Sequence, residues 1–178
     1  MKSARSIYVL LVDDNRQMRV LVRELLRALG MRHCAEAGNA AEGVTMMRTF
    51  PADLVITDLA MGDEDGLAFA RRIRTADGSP NACIPIVMMT GHAERSRVQA
   101  AIDAGVNTFL AKPISARSLA DHISHALNDR RPFVRTPTFF GPDRRHHRYH
   151  DYAGPFRRAE DGDRGYHVND FGATTLEL

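Results

Sequence analysis

The stretch IYVLLVDD, residues 7–14, consists of six uninterrupted apolar residues followed by two aspartates. A continuous apolar run of this length is typical of a parallel strand that is buried on both faces. Asn15 can cap a helix directly afterwards, because apolar residues from Met18 to Leu29 recur at helical spacing and Gly30 ends the pattern. This stretch therefore predicts a buried strand, a pair of carboxylates and a helix, in that order.

The same alternation continues to about residue 128. Further strands are predicted at His33–Ala37, Leu54–Thr57, Pro85–Met89 and Thr108–Leu110. Helices are predicted at Asn39–Phe50, Gly66–Arg74, about Ala93–Ala104, and from Ser115 to near Asn128. Five strands alternating with five helices indicate an α/β fold, in which helices cover both faces of a parallel sheet.

The overall composition narrows the class of protein only slightly. The chain has 178 residues with 24 basic and 22 acidic side chains, a balance that favours no particular partner. Its longest apolar runs have six residues, whereas a membrane helix needs roughly 20. Two cysteines, Cys34 and Cys83, are too few for a disulfide scaffold. We therefore expect a cytoplasmic protein that has no membrane partner.

Three carboxylates follow the predicted strands: Asp13 and Asp14 after the first, and Asp58 after the third. In open parallel sheets, ligands bind beyond the carboxyl ends of the strands. If these strands are neighbours, the carboxylates crowd into one crevice, where their repulsion calls for a divalent cation or protons. Mg²⁺ is the expected ion, because it prefers oxygen ligands.

Two further polar side chains follow the last strands. Thr90 offers a hydroxyl after the fourth strand, and Lys112 offers a compact positive charge after the fifth, suited to a phosphate oxygen. A carboxylate nucleophile, a cation site, a lysine and a hydroxyl are the parts that phosphoryl transfer onto aspartate requires. The strand ends thus predict this chemistry.

With these residues, the chain resembles the CheY-like receiver domains of two-component response regulators from residue 7 to about 128. The matching positions are Asp13-Asp14, Asp58 with Gly66, Thr90, and Phe109-Leu110-Ala111-Lys112-Pro113. The resemblance implies a doubly wound, flavodoxin-like (βα)5 sheet with strand order 2-1-3-4-5. It also implies a signalling protein rather than an enzyme, apart from self-catalysed phosphorylation and dephosphorylation.

The resemblance assigns a role to each site residue. Asp58 would accept the phosphoryl group, Lys112 would contact it, and the Lys112–Pro113 peptide bond would be cis. Mg²⁺ would be held by Asp13, Asp14 and Asp58, together with the main-chain carbonyl of Ala60. Thr90 and Phe109 would form a switch pair that reshapes the face made by the fourth helix, the fifth strand and the fifth helix.

The implied partners are a sensor histidine kinase or a histidine phosphotransfer protein and a downstream protein target, with a homodimer of the chain as a further option. One position departs from the family: Gly62 stands where the family usually has proline. A glycine there should loosen the loop after Asp58. This loop also carries three acidic residues, at positions 63–65.

The composition changes at Arg130. The last 49 residues hold nine arginines, no lysine and eight of the twelve aromatic residues. We expect a receiver domain over residues 1–129 and a largely irregular tail over residues 130–178. The tail would dock on the receiver, a second protomer or a signalling partner, or be partly disordered. His146, His147 and His150 make a weak zinc candidate, since no cysteine lies nearby. Seven acidic residues nearly neutralise the tail, which disfavours nucleic acid as a ligand.

Two other functions compete with a receiver that signals by protein contact. The first is a transcription regulator or nucleic-acid-binding protein that uses the tail as its output module. The tail, however, shows no apolar helical repeat of the kind a helix-turn-helix needs. The second is a magnesium-dependent phosphohydrolase, which needs a second carboxylate near Asp58 as acid or base. Ala60 stands where such enzymes carry that carboxylate.

Overall fold

The computed structural model describes residues 4–62, 64–75, 79, 81–91, 95–136 and 138–144. A short 3-10 turn at Ala4–Ser6 precedes five alternating strands and helices. The strands are β1 Tyr8–Val12, β2 His33–Ala37, β3 Leu54–Asp58, β4 Ile86–Thr90 and β5 Thr108–Ala111. The helices are α1 Arg16–Ala28, α2 Ala40–Met46, α3 Gly66–Thr75, α4 Arg95–Asp103 and α5 Ala116–Leu127.

The five strands are all parallel and lie in the order β2-β1-β3-β4-β5. The predicted fold and strand order are therefore confirmed. Alternate residues of β1 face opposite cores: Val9 and Leu11 pack with residues of α1 and α5, while Leu10 and Val12 pack with residues of α2, α3 and α4. This two-sided burial explains why β1 is a continuous apolar run.

Asparagine side chains cap two of the helix starts, and one of them is the predicted cap at Asn15. The Asn15 side chain accepts hydrogen bonds from the main-chain N–H groups of Gln17 and Met18, and Asn39 caps α2 in the same way through Glu42. Helix α2 ends at Met46, short of the predicted end at Phe50. The chain instead continues in tighter turns, such as the hydrogen bond from Arg48 N–H to the Thr45 carbonyl.

A hairpin that the sequence did not predict follows α5. Strands β6, Phe133–Thr136, and β7, Phe139–Pro142, pair antiparallel, and β7 lies against α3. The disfavoured zinc candidates His146, His147 and His150, and the rest of the tail after Arg144, lie outside the described residues. Among the helices that are described, none has the length and apolar character needed to cross a bilayer.

Candidate functional site

The strand register brings the predicted carboxylates together. Val12 of β1 pairs with Thr57 of β3, so the residues that follow them, Asp13 and Asp58, lie side by side at the carboxyl end of the sheet. One carboxylate oxygen from each of Asp13, Asp14 and Asp58 lies within 4.8 Å of the others. Asp13 is fully buried, Asp58 is 6% exposed, and Asp14 is exposed.

Lys112 reaches this cluster from the neighbouring edge of the sheet. Thr90 of β4 pairs with Ala111 of β5, which places Lys112 one residue beyond the strand pair. Its Nζ donates a 2.9 Å hydrogen bond to Asp58 Oδ2 and lies 3.7 Å from Asp13 Oδ2. The Lys112–Pro113 peptide bond is cis. One ammonium group thus faces two buried carboxylates.

Main-chain N–H groups orient the three carboxylates. Asn15 N–H donates to Asp13 Oδ1 at 2.8 Å, and Leu59 N–H donates to Asp58 Oδ1 at 2.9 Å. Gly62 N–H donates to Asp14 Oδ2 at 3.1 Å. The Asn15 and Leu59 donors lie one or two residues along the chain from the carboxylates that they bond, whereas Gly62 is remote in sequence from Asp14 and could not be identified as its donor before the fold was known.

Gly62 adopts a backbone conformation with φ +36°, which residues with a side chain rarely adopt. Proline could neither reach this φ nor donate the N–H that bonds to Asp14. The departure from the family pattern therefore coincides with an additional contact between the loop and the carboxylate cluster.

Gly66 at the start of α3 packs directly against the main chain of Asp58. A Cβ on Gly66 would lie 2.1 Å from the Asp58 carbonyl oxygen, and Gly66 N–H donates to the Leu59 carbonyl at 2.9 Å. The close packing of the two main chains therefore requires glycine at position 66, eight residues after Asp58. It keeps the loop that surrounds the site compact.

The carboxylates fit a hard cation. No described residue donates a hydrogen bond to Asp13 Oδ2, although this oxygen is buried. Burial raises the pKa of Asp13, and the nearby charges of Asp58 and Asp14 raise it further, against the lowering effects of the Asn15 hydrogen bond and of Lys112. A divalent cation would satisfy this oxygen and offset the repulsion. The pocket can therefore hold a metal ion.

The other predicted residues occupy different parts of this edge. Thr90 ends β4 and is 4% exposed, while Phe109 lies within β5 and is partly buried against the core on the side of α2, α3 and α4. Ala60 is exposed, two residues after Asp58. Because β4 pairs with β3, Thr90 lies at the same end of the sheet as the carboxylates. Phe109 lies two residues before the end of β5 and is therefore further from the carboxylates along the strand direction.

The chain matches known proteins over most of its described residues. Residues 9–124 match the family described as the response regulator receiver domain. The Bacillus subtilis chemotaxis protein CheY is 32% identical over 120 residues, covering 67% of this chain and 97% of that protein. Chemotaxis protein CheY-3 of Vibrio cholerae is 31% identical over 119 residues, covering 67% and 90%.

Solved structures show the same architecture. A response regulator receiver protein from Pseudomonas putida has a TM-score of 0.59 and 30% identity, covering 66% of this chain and 94% of that one. The chemotaxis protein CheY4 of Vibrio cholerae has a TM-score of 0.62 over 67% of this chain and 98% of its own. At 23% identity, CheY4 supports the fold alone.

Proposed function

The chain belongs to the response regulator receiver family, and from this premise we propose that it accepts a phosphoryl group on Asp58 in a two-component phosphorelay. The observation that supports this most directly is the position of Asp58. Its carboxylate is held between the Lys112 ammonium and the Leu59 N–H, beside the Asp13 and Asp14 carboxylates.

The proposed reaction is a transfer between nitrogen and oxygen. A carboxylate oxygen of Asp58 attacks the phosphorus of a phosphohistidine on a sensor kinase or phosphotransfer protein. A P–O bond forms, the P–N bond breaks, and the electron pair leaves with the imidazole nitrogen, which then takes a proton. Water later hydrolyses the acyl phosphate and restores the carboxylate, so the only catalysis is self-directed.

The surrounding residues would stabilise this transfer by charge. Lys112 would follow the phosphoryl oxygens as they approach Asp58, and the Thr90 hydroxyl would bind one of them. Mg²⁺, held by Asp13, Asp14, Asp58 and the Ala60 carbonyl, would neutralise negative charge on the phosphoryl group. Asp13 Oδ2, which lacks a donor among the described residues, is the oxygen best suited to this ion.

Phosphorylation would then act through the fold. A phosphoryl group adds contacts that exist in one conformation only, and so shifts a two-state population. We propose that Thr90 and Phe109 carry this change to the face formed by α4, β5 and α5, which binds the downstream protein target. Homodimerisation through this face is a second outcome compatible with the proposal.

We also propose a division into a receiver over residues 1–129 and a tail over residues 130–178. The family match ends at residue 124, near the end of α5 at Leu127, which supports this boundary. The tail would contribute to output or partner contact. Its first part, the β6–β7 hairpin, packs on the receiver itself.

Intact mass measurement tests the proposal. The full chain would be incubated with Mg²⁺ and acetyl phosphate, beside Asp58→Asn and the control Asp121→Asn, which alters an exposed carboxylate on α5. We expect one phosphoryl group on the native chain and on the control, and none on Asp58→Asn. Equal uptake by all three proteins would show that Asp58 is not the acceptor, and rapid turnover of unrelated phosphate esters would favour a hydrolase.

A further inference from the structure

The segment made of residues 129–136 and 138–144 folds back onto the receiver at the end of the sheet opposite the carboxylates. It comprises the residues after α5 and the β6–β7 hairpin. The receiver match ends at residue 124, so this segment is an addition to the matched domain. The surface beneath it consists of α3, the C-terminal end of α4 and the residues that lead into β5.

Arg74, at the end of α3, forms the centre of this interface. It is 1% exposed, and its guanidinium donates to the main-chain carbonyls of Gly105 at 3.0 Å and of Ala82 and Ile84 at 2.7 Å. The Phe133 ring of β6 covers it, with 5.1 Å between the guanidinium carbon and the ring centroid. A buried cation over an aromatic face is an attractive contact, so the hairpin covers a charged group that would otherwise meet water.

A chain of polar contacts continues from this point. Asn107, just before β5, accepts a hydrogen bond from Arg74 Nη2 at 3.1 Å and donates one to Asp129 Oδ2 at 3.0 Å. Arg131 pairs with the same Asp129 oxygen at 2.5 Å and donates to the Asn107 carbonyl at 3.1 Å. Both ends of the linker from α5 to the hairpin are therefore bonded to the residue that leads into β5.

The hairpin also contacts the end of α4 through glycine packing. A Cβ on Gly141 would lie 2.7 Å from Gly105 Cα, and a Cβ on Gly105 would lie 2.6 Å from the Phe140 carbonyl oxygen. Arg144 forms an ion pair with Asp103, the last residue of α4, and stacks on the Phe139 ring. Main chain meets main chain at this point, and only glycine permits so close an approach.

We propose that this segment is a cis-acting clamp on the C-terminal end of α4 and that it favours the unphosphorylated receiver. The proposal rests on the proposed function, because α4 and β5 belong to the face that phosphorylation would reshape. The clamp contacts occur together with the unmodified Asp58–Lys112 pair. Contacts that must rearrange when α4 moves stabilise the unmodified state, and linkage then weakens the binding of phosphoryl mimics.

Two substitutions in the full chain release the clamp by different routes. Gly141→Ala places a methyl group against Gly105 and the Phe139 ring, and Phe133→Ala removes the ring over Arg74. Thr138→Ala is the control, since Thr138 is exposed at the hairpin turn. Hydrogen exchange over residues 101–107 and 133–142 reports docking, and calorimetric titration with beryllofluoride and Mg²⁺ reports the switch.

We expect faster exchange in both segments and about fivefold or more tighter beryllofluoride binding for both variants, with Thr138→Ala unchanged. Unchanged exchange in both variants would show that the hairpin is not a clamp. Faster exchange with equal or weaker beryllofluoride binding would show that the hairpin does not favour the unphosphorylated receiver. If the native chain binds no beryllofluoride, the proposed function fails. Hydrogen exchange over residues 101–107 then tests separately whether the hairpin restrains the end of α4: faster exchange in both variants supports the restraint, and unchanged exchange contradicts it.

Discussion

The Lys112 ammonium donates a 2.9 Å hydrogen bond to Asp58 Oδ2. The same nitrogen lies 3.7 Å from Asp13 Oδ2, so one cation partly neutralises the proposed acceptor and a proposed metal ligand. A cation bound between the carboxylates would compete with this lysine for their charge. Metal binding and phosphoryl binding should therefore respond to Lys112 in opposite directions.

Lys112→Met should tighten Mg²⁺ binding while it abolishes most phosphoryl uptake. Removal of a positive charge near the carboxylates should strengthen cation binding on the order of tenfold. Lys112→Arg is the matched control, since it keeps the charge but lacks the compact ammonium. Calorimetric Mg²⁺ titration and intact mass after acetyl phosphate treatment provide the two readouts. Weaker Mg²⁺ binding by Lys112→Met would contradict the competition.

Asp13→Asn should stabilise the metal-free protein at neutral pH by roughly 1–3 kcal/mol, because a buried oxygen without a donor is replaced by a neutral amide. Burial raises the pKa of Asp13, so the folded state disfavours the ionised form. The stability associated with protonated Asp13 is complete below the unfolded pKa and is lost as the pH rises through the higher folded pKa.

The difference in the free energy of unfolding between the native chain and Asp13→Asn should accordingly shrink as the pH falls towards the unfolded pKa of Asp13. Urea unfolding without Mg²⁺ at several pH values measures it. Addition of Mg²⁺ should stabilise the native chain and leave Asp13→Asn nearly unaffected. If Asp13→Asn is less stable than the native chain at neutral pH, then the buried Asp13 carboxylate does not destabilise the metal-free protein.

Gly62→Ala should weaken Mg²⁺ binding about threefold, since an exposed hydrogen bond contributes roughly 0.5–1.5 kcal/mol. The substitution strains a backbone at φ +36° and so disturbs the N–H that orients Asp14. Gly91→Ala is the control, because a Cβ at Gly91 has no neighbour within 4 Å. Equal Mg²⁺ affinity for the two variants would show that the Gly62 contact does not orient the ligand.

Gly66→Ala should destabilise the fold by roughly 2–4 kcal/mol, because its methyl group would lie 2.1 Å from a main-chain oxygen of Asp58 that cannot turn aside. The displaced backbone would also lower phosphoryl uptake on Asp58. Urea unfolding beside Gly91→Ala measures the first effect, and intact mass measures the second. A Gly66→Ala protein as stable as the control would mean that α3 can start further from β3.

Much of the site was predictable because parallel strands bring their carboxyl ends to one edge of a sheet. A chain that ends strands with Asp13-Asp14, Asp58, Thr90 and Lys112 must gather those groups once the strands are adjacent. The helix caps Asn15 and Asn39 were predictable for a similar reason, since capping depends on residues a few positions apart. Local pattern and strand order were sufficient in these cases.

The amino-acid sequence by itself thus determined the sheet, the helices and the membership of the carboxylate cluster, because apolar periodicity and strand-end residues are local properties. Only the tertiary structure decided that the Gly62 N–H orients Asp14, which oxygen of Asp13 lacks a donor among the described residues, and that Phe133 covers Arg74. These contacts join residues far apart in the chain, such as Asp14 and Gly62. Their geometry depends on how the loops and the hairpin pack, and no local pattern contains that information.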